Sequence, residues 1–465
     1  MKVTILGAGG GEVTGSAYLL QTKTANVLID CGMYQGASKS ENYRKMPKSE
    51  NVKKLDCVIL THAHLDHTGR LPLLTKLGYR HPIYATPATI ELTEVILKDS
   101  ARLQRSDAER ENRKRKRFNE PPLDPLYSED DVTALKPLMK TLTYDKPTEI
   151  APGVTVRAVE AGHMLGSASL EFTVEEAGKK RVIIFSGDIG PRGAPLHHDP
   201  VPFKHADVVF MESTYGDRNH KSLKDSAIEA RENIKQVVKA RGKILVPVFA
   251  VARSQLIMYL LAGAFHKGTL KPFPIYIDSP MAIEATRIYR KHVELFDAEA
   301  LSMQKSGDLR ANLESVEFCK TAEESKALND VSGPCMILAG SGMCTGGRIL
   351  HHFKYNLAIP GTLVMIVGFQ SHGSLGRMLV DGAKHVTIFG ERIPVRAKVI
   401  TLNGMSGHAG QKDLMNWYDS LASSRPRTIL THGENKARTA LARLIREKHQ
   451  VKAELPELGD VIEID

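Results

Sequence analysis

From Met1 to about Val208 the apolar positions come in short β-branched runs bounded by Gly, Asp or Pro: Val3 to Leu6, Ala17 to Leu20, Asn26 to Ile29, Cys57 to Leu60, Val154 to Val159, Ser169 to Val174 and Arg181 to Phe185. Runs of this length with these punctuators predict strands. Leu71 to Leu77, Thr89 to Gln104 and Asp130 to Met139 carry apolar residues at helical spacing instead, so a mixed α/β layer structure is expected. A second alternation fills about Gly216 to Pro394, with helices predicted over Ser222 to Ala240 and Ser254 to Ala264 and strands over Ile244 to Pro247, Ile275 to Asp278, Met336 to Ala339 and Leu363 to Val367. Strand-like runs return at Val399 to Leu402 and Thr428 to Thr431. The expected organisation is a first domain over 1–212, an inserted α/β domain over 213–395, and a piece over 396–465 that completes the first.

Composition narrows the class. A chain of 465 residues exceeds what one hydrophobic core supports, and 42% hydrophobic with 25% charged residues is ordinary globular usage. No window holds the eighteen or so apolar residues of a membrane helix, and the first apolar run meets Gly7 too early for a signal-peptide core, so a non-secreted, cytoplasmic protein is expected. Cys31, Cys57, Cys319, Cys335 and Cys344 are odd in number and form no Cys-x-x-Cys pair, which favours reduced thiols and argues against a thiolate metal site. A formal charge of +10 raises the prospect of a polyanionic partner. Arg102, Arg105, Arg110, Arg113, Lys114, Arg115, Lys116 and Arg117 face only Asp107, Glu109 and Glu111 within that stretch, which suits either phosphate contact or a solvated helix face.

The residues best able to do chemistry follow strand ends: Asp30 after Val-Leu-Ile, His62 after Val-Ile-Leu-Thr, Asp188 after Ile-Ile-Phe-Ser-Gly, and Glu212 after Val-Val-Phe-Met. Such placement lines polar side chains along one rim of a sheet. Gly7-Ala-Gly-Gly-Gly-Glu12 has the look of a dinucleotide fingerprint, but Glu12 stands where a third Gly or Ala is required and a strand follows, so that reading is set aside. His62, His64, Asp66 and His67 are different. Three imidazoles and a carboxylate crowded at one strand end waste desolvation energy unless a cation binds them, and the mixture without thiolate suits a hydrolytic zinc, manganese or iron site. Neighbouring side chains on such a loop can face two ions, which then need further ligands and an acid able to bridge them; His163 and Asp188 lie in Gly-rich turns suited to this.

Taken in order, Asp30, the His-x-His-x-Asp-His run, His163 and Asp188 resemble the four motifs of the metallo-β-lactamase fold. Glu212 in Met-Glu-Ser-Thr-Tyr-Gly, His408 in Met-Ser-Gly-His-Ala-Gly-Gln and His432 in Leu-Thr-His-Gly-Glu resemble the three extra motifs of its β-CASP branch, which includes the nuclease subunit of the cleavage and polyadenylation specificity factor, its archaeal and bacterial relatives, and ribonuclease J. The resemblance covers essentially the whole chain. It implies an α/β protein, a metallo-β-lactamase αββα sandwich with an inserted β-CASP domain that caps the metal site. It also implies two Zn2+ per chain, with Mn2+ acceptable: His62, His64 and His163 on one ion, Asp66, His67 and His432 on the other, Asp188 bridging, and Asp30 steadying the histidines from behind.

The expected activity is two-metal phosphodiester hydrolysis, with His408, oriented by Glu212, protonating the leaving oxygen; with Asp66 these are the expected catalytic residues. In the family the third extra motif is histidine in RNA-acting members, so His432 implies single-stranded RNA. Arg253 and Ser254, Ser341 and Arg348, and Ser371 and Arg377 sit in small-residue segments suited to phosphate contact, or else to helix caps and tight turns. One Trp and 6% aromatics leave few stacking platforms, so backbone contact should outweigh base readout. Gly410 stands where ribonuclease J resemblance puts a phosphate-binding serine, and the chain ends soon after its last helix, so internal cleavage is expected over 5′–3′ exonuclease action. The rivals are a small-ester or thioester hydrolase and a silent RNA-binding subunit. No membrane partner is expected, and a homodimer is left open.

Overall fold

Along Lys2–Gly7 burial alternates, with Val3, Ile5 and Gly7 turned inward, the signature of a strand with one face on a core. A computed structural model, which describes residues 1–34, 41–42, 49–368, 370 and 373–465, sets this strand in a seven-stranded sheet ordered Val461–Glu463, Lys2–Gly7, Ala17–Gln21, Asn26–Ile29, Cys57–Ile59, Ile83–Ala85, Met139–Thr141. A second seven-stranded sheet runs Ala453–Glu454, Arg427–Thr431, Val208–Glu212, Lys179–Phe185, Ala168–Glu176, Val154–Glu160, Thr148–Ala151. One core joins them: Ile5, Leu20, Ile29 and Ile59 of the first sheet pack with Val156, Phe172, Phe185 and Phe210 of the second. The Phe185 and Phe210 rings stack with centroids 4.7 Å apart. Helices cover both outer faces, Leu71–Lys76 and Pro87–Arg117 on one and Gln411–Asp419 and Asn435–His449 on the other, through separate apolar clusters. This is the αββα sandwich. It forms a compact unit of residues 1–192, 199–219 and 408–465.

Residues 193–198 and 220–407 form a second compact unit around a six-stranded sheet ordered Val316–Phe318, Ile275–Asp278, Cys335–Ala339, Lys243–Pro247, Leu363–Ile366, Lys398–Thr401. Every adjacent pair is parallel. Helices on such a sheet bury both faces, which is why Cys335–Ala339 is apolar and buried at every position rather than alternating.

Three elements differ from the sequence expectation. The helix expected to stop at Gln104 continues to Arg117, because charged residues give no apolar period yet form helix readily once the chain beyond is tied back to them. The helical pattern over Asp130 to Met139 is broken by Pro137: it comprises Glu129–Thr133, a short 3-10 turn over Lys136–Leu138, and the start of edge strand Met139–Thr141. The run at Val399 to Leu402 is indeed a strand, but it pairs with Leu363–Ile366 in the second unit, and the first unit resumes only at His408. A strand signal does not say which sheet the strand joins. Among the described residues no helix is long and apolar enough to cross a membrane.

Candidate metal centre

In the sandwich, Asn26–Ile29 and Cys57–Ile59 are parallel, and Lys179–Phe185, Val208–Glu212 and Arg427–Thr431 are parallel to one another. Side chains just past the ends of these strands therefore gather at shared edges: Asp30, His62 to His67, Asp188, Glu212 and His432. His163 joins from the turn after Val154–Glu160. His62 is held by the loop after its strand, while Asp66 and His67 lie on the single helical turn Leu65–Thr68. Gly32 has no room for a side chain, because one would overlap the Asp66 carbonyl.

Three groups of ligand atoms result, each within 4.8 Å: His62, His64, His163 and Asp188 in the first, Asp66, His67 and His432 in the second, and Asp188, Glu212 and His408 in the third. In the first, His64 Nδ1 lies 3.2 Å from His62 Nε2 and 3.0 Å from His163 Nε2, and Asp188 Oδ2 lies 3.4 and 3.6 Å from those two Nε2 atoms. In the second, His67 Nε2 lies 3.3 Å from His432 Nε2, His432 Nε2 lies 3.6 Å from Asp66 Oδ2, and Asp188 Oδ1 lies 3.3 Å from His67 Nε2. Nitrogen or oxygen atoms about 2.0–2.1 Å from one tetrahedral zinc stand roughly 3.3–3.4 Å from each other. The side chains are thus spaced to share a small cation. Asp188 Oδ1, buried and with no hydrogen-bond partner, supports the same conclusion, since a buried carboxylate oxygen is otherwise costly to leave unmet.

Asp30 acts from behind. Its Oδ2 accepts from His67 Nδ1 at 2.7 Å and from the Thr61 hydroxyl at 2.8 Å, and its Oδ1 accepts the Thr61 N–H at 2.8 Å. With its Nδ1 proton so engaged, His67 presents Nε2 as a lone pair. Burial disfavours a charged His67, yet Asp188 and Asp30 raise its pKa well above the usual imidazole value; burial and His67 together drive His62 well below it. Burial likewise opposes the charge on Asp188, but His432 and His67 hold that carboxylate well below its usual range. The centre keeps a negative charge available at its middle.

His408 stands beside the first group, its ring 4.6 Å from that of His163 and one-fifth exposed. Its Nδ1 lies 3.3 Å from Glu212 Oε1, which also accepts the Ile189 N–H at 2.6 Å. Burial lowers the His408 pKa, and the Glu212 and Asp188 carboxylates outweigh it to leave a net rise. Thr61 and Thr214 were not singled out in the sequence; the Thr61 hydroxyl touches His62 Nδ1 at 3.1 Å and that of Thr214 touches His432 Nδ1 at 3.2 Å. Their signal was only adjacency to a histidine. Buried Arg70, whose Nε donates to the Gly32 carbonyl and whose guanidinium lies over the Tyr34 ring, was missed as well.

In the second unit the loops after neighbouring parallel strands meet. A side chain at Gly342 would overlap the Phe249 ring, and Gln370 Nε2 donates to the Gly342 carbonyl at 2.8 Å. Arg253 is half-buried at the start of helix Arg253–His266. Ser254 is fully buried and donates to the Phe249 carbonyl, so it has no surface for a ligand and serves the turn. Ser341 Oγ accepts from Thr345 and Gly346 N–H groups, closing its own loop. Arg348 donates to buried Asp278 at 2.6 Å, and Asp278 also accepts from His352 and Ser325, a network absent from the sequence reading. Arg377 is exposed and pairs with Asp381, and Ser371 lies outside the described residues.

Residues 10–247 match the metallo-β-lactamase superfamily, 254–379 the β-CASP domain, and 392–456 the Zn-dependent metallo-hydrolase RNA specificity domain. Ribonuclease TTHA0252 of Thermus thermophilus is 37% identical over the whole of both chains. The transcription termination factor FttA of Methanosarcina mazei is 32% identical, covering 97% of this chain and 70% of that protein, and FttA of Pyrococcus abyssi is 32% identical with 99% and 71% covered. A crystal structure of a protein of unknown function from Enterococcus faecalis shares the fold at 15% identity, with TM-score 0.57 over 100% of this chain and 99% of that one.

Proposed function

The chain belongs to the metallo-β-lactamase superfamily, in the branch carrying a β-CASP domain, and from that membership we propose a zinc-dependent ribonuclease that cuts RNA internally. The observation that carries the reading is the pair of ligand groups hinged on Asp188, with His408 and Glu212 at their side. Two divalent cations held there would lower the pKa of a water and offset charge on the phosphoryl oxygens. We assign His62, His64 and His163 to one ion, Asp66, His67 and His432 to the other, and Asp188 to both. Manganese would fit the same donors.

The protein's own groups do the rest. Glu212 holds His408 Nδ1–H, fixes the ring and favours its charged form, so the ring carries a proton for the departing oxygen. Arg253, Arg348 and Arg377 are the proposed phosphate contacts of the second unit. Internal cleavage is favoured because a 5′-phosphate would find little to grip beside His408. Gly410 offers no side chain, and the first amides of helix Gln411–Asp419 are already taken, Gln411 N–H by the Arg218 carbonyl at 2.9 Å and Lys412 N–H by Asn219 Oδ1 at 2.8 Å.

RNA labelled at the 5′ or the 3′ end, incubated with and without a chelator and resolved on a gel, tests this. Internal fragments from both labels, lost with chelator, are expected. Mononucleotides released from one end overturn the internal mode, and turnover of chromogenic esters with intact RNA overturns the ribonuclease reading.

A further inference from the structure

We propose that the outer face of the C-terminal half of helix Pro87–Arg117, carried by Arg113, Lys116 and Arg117, is a docking surface for the phosphate backbone of RNA, separate from the metal centre. It rests on the ribonuclease reading and extends it to longer substrates.

The two halves of this helix are built differently. Ala88, Leu92, Ile96, Leu97 and Ala101 bury the first half against the sandwich. From Arg102 onward the side chains are mostly exposed, and the eight basic residues there outnumber three acidic ones. That net +5 is half of the formal charge of the whole chain, +10. The returning chain holds one side of this half: Leu126 N–H donates to Gln104 Oε1 at 3.0 Å, Asn112 exchanges two hydrogen bonds with Leu123, and Arg115 Nε donates to the Pro121 carbonyl at 2.7 Å. At 3.6 residues per turn, Gln104, Asn112 and Arg115 fall on one side, Arg113 and Arg117 roughly opposite, and Lys116 on the flank between, all three of these basic side chains exposed. The strap thus leaves the basic face outward.

The nearby acids are spent elsewhere. Asp107 pairs with Arg110, Glu111 with Lys114, Glu120 with Arg115, and Glu129 with both Arg102 and Arg105. Glu109 lies one turn before Arg113, yet among the described residues no carboxylate comes within ion-pair distance of Arg113, Lys116 or Arg117. One or two cations in a last turn would satisfy the helix dipole. Arg113, Lys116 and Arg117, spaced three and four apart, repel one another instead, and an external anion relieves that repulsion. Phe118, three-quarters exposed beside them, offers a ring on which a base can stack. An anionic membrane would need a broad apolar face, whereas only Leu103 and Phe118 are exposed apolar side chains on this half.

The helix also has a fixed origin. The Thr86 and Thr89 hydroxyls both donate to the Gly166 carbonyl, at 2.6 and 2.8 Å, in the turn that carries His163. A rise of 1.5 Å per residue puts Arg113 about 40 Å along the helix from that turn. At about 3.4 Å per stacked nucleotide, a strand needs on the order of a dozen nucleotides to reach both. The surface should therefore matter for long RNA and not for short.

Steady-state hydrolysis of a 30-mer and a 6-mer by the zinc-loaded protein provides the test, comparing wild type, R113E/K116E/R117E, R113Q/K116Q/R117Q and the control K179E/K180E/K204E, which makes the same net-charge change at other exposed lysines. For the 30-mer the Glu variant is expected to raise KM about tenfold with kcat unchanged, the Gln variant less, and the plot of log kcat/KM against log salt to flatten by about 2, the share of three phosphates. The 6-mer and the control should behave as wild type. An unchanged KM for the 30-mer overturns the proposal, as does an equal rise in the control or a variant that loses only binding to anionic phosphatidylserine vesicles. Wild type that hydrolyses neither RNA refutes the ribonuclease reading itself, a result distinct from active wild type with unaffected variants.

Discussion

Asp30→Asn tests how the centre is held, because Asp30 touches a proposed ligand without belonging to any of the three ligand groups. The residue is 1% exposed, and its φ of +56° is one that asparagine also tolerates, so the backbone should hold. What changes is the number of acceptors. The carboxylate receives three donors, Thr61 N–H, Thr61 hydroxyl and His67 Nδ1–H, at 2.8, 2.8 and 2.7 Å. With the amide oxygen kept on Thr61 N–H, the NH2 confronts His67 Nδ1 and forces the ring proton onto Nε2. That atom faces His432 Nε2 and Asp188 Oδ1, both at 3.3 Å, where a lone pair is required. With the amide reversed, a buried donor faces the Thr61 N–H at a cost of about 1–3 kcal/mol. Losing such an outer partner typically weakens metal affinity about 10–100-fold, roughly 1.4–2.8 kcal/mol. Competition of metal-free wild type and D30N against a chromogenic zinc chelator measures this, with a thermal melt alongside. Wild-type zinc affinity in a folded D30N would refute the tautomer argument.

Four further outcomes follow from the same geometry. His408→Ala should lower RNA hydrolysis by about 10²–10⁴-fold with metal content preserved, and cost far less on a nitrophenyl diester whose leaving group departs unprotonated; equal losses on both remove His408 from the proton-donor role. Glu212→Gln should move the alkaline limb of the pH–rate profile to lower pH, since burial lowers the His408 pKa and Glu212 is the leading cause of its net rise; an unmoved limb counts against the pairing. The metal-free protein should melt lower as pH rises above about 6.5. His67 carries a raised folded pKa, so its stabilisation is complete below the unfolded value and disappears through the folded one. Zinc-loaded protein should lack that decline, and a level metal-free curve would contradict the reasoning. Burial pushes Glu160, which accepts from Gly162 N–H and the Ser167 hydroxyl, up to about 7, so its ionisation destabilises the fold as pH rises from 4.5 towards 7. Glu160→Gln should then melt higher than wild type at pH 8 and no higher at pH 4; the reverse order would assign the carboxylate a stabilising contact.

The strands of both units were legible because half-buried ones such as Lys2–Gly7 of the sandwich alternate and fully buried ones such as Cys335–Ala339 of the second unit do not, and each pattern has one physical cause. The sheet joined by Lys398–Thr401 was not, because the same apolar alternation serves either partner. Neither was the reach of helix Pro87–Arg117, whose second half is held by hydrogen bonds to a returning strap rather than by an apolar stripe.

The site divides along a similar line. His62, His64, Asp66 and His67 stood out because their crowding is unfavourable in any fold lacking a cation, so the sequence shows an apparent error that only a ligand corrects. Thr61, Thr214 and Asp278 escaped notice for the opposite reason: each is a polar group satisfied by its neighbours, and satisfied groups leave no anomaly in composition or spacing. The uncompensated charges of Arg113, Lys116 and Arg117 belong with the first class, not the second. A fold that pairs Arg102, Arg105, Arg110, Lys114 and Arg115 with nearby acids had the means to neutralise the remaining three, and it leaves them facing outward on a strapped, ordered helix. The physical reasoning that turned the histidine cluster into a cation site therefore turns this face into an anion site, with phosphate the anion that the proposed substrate supplies.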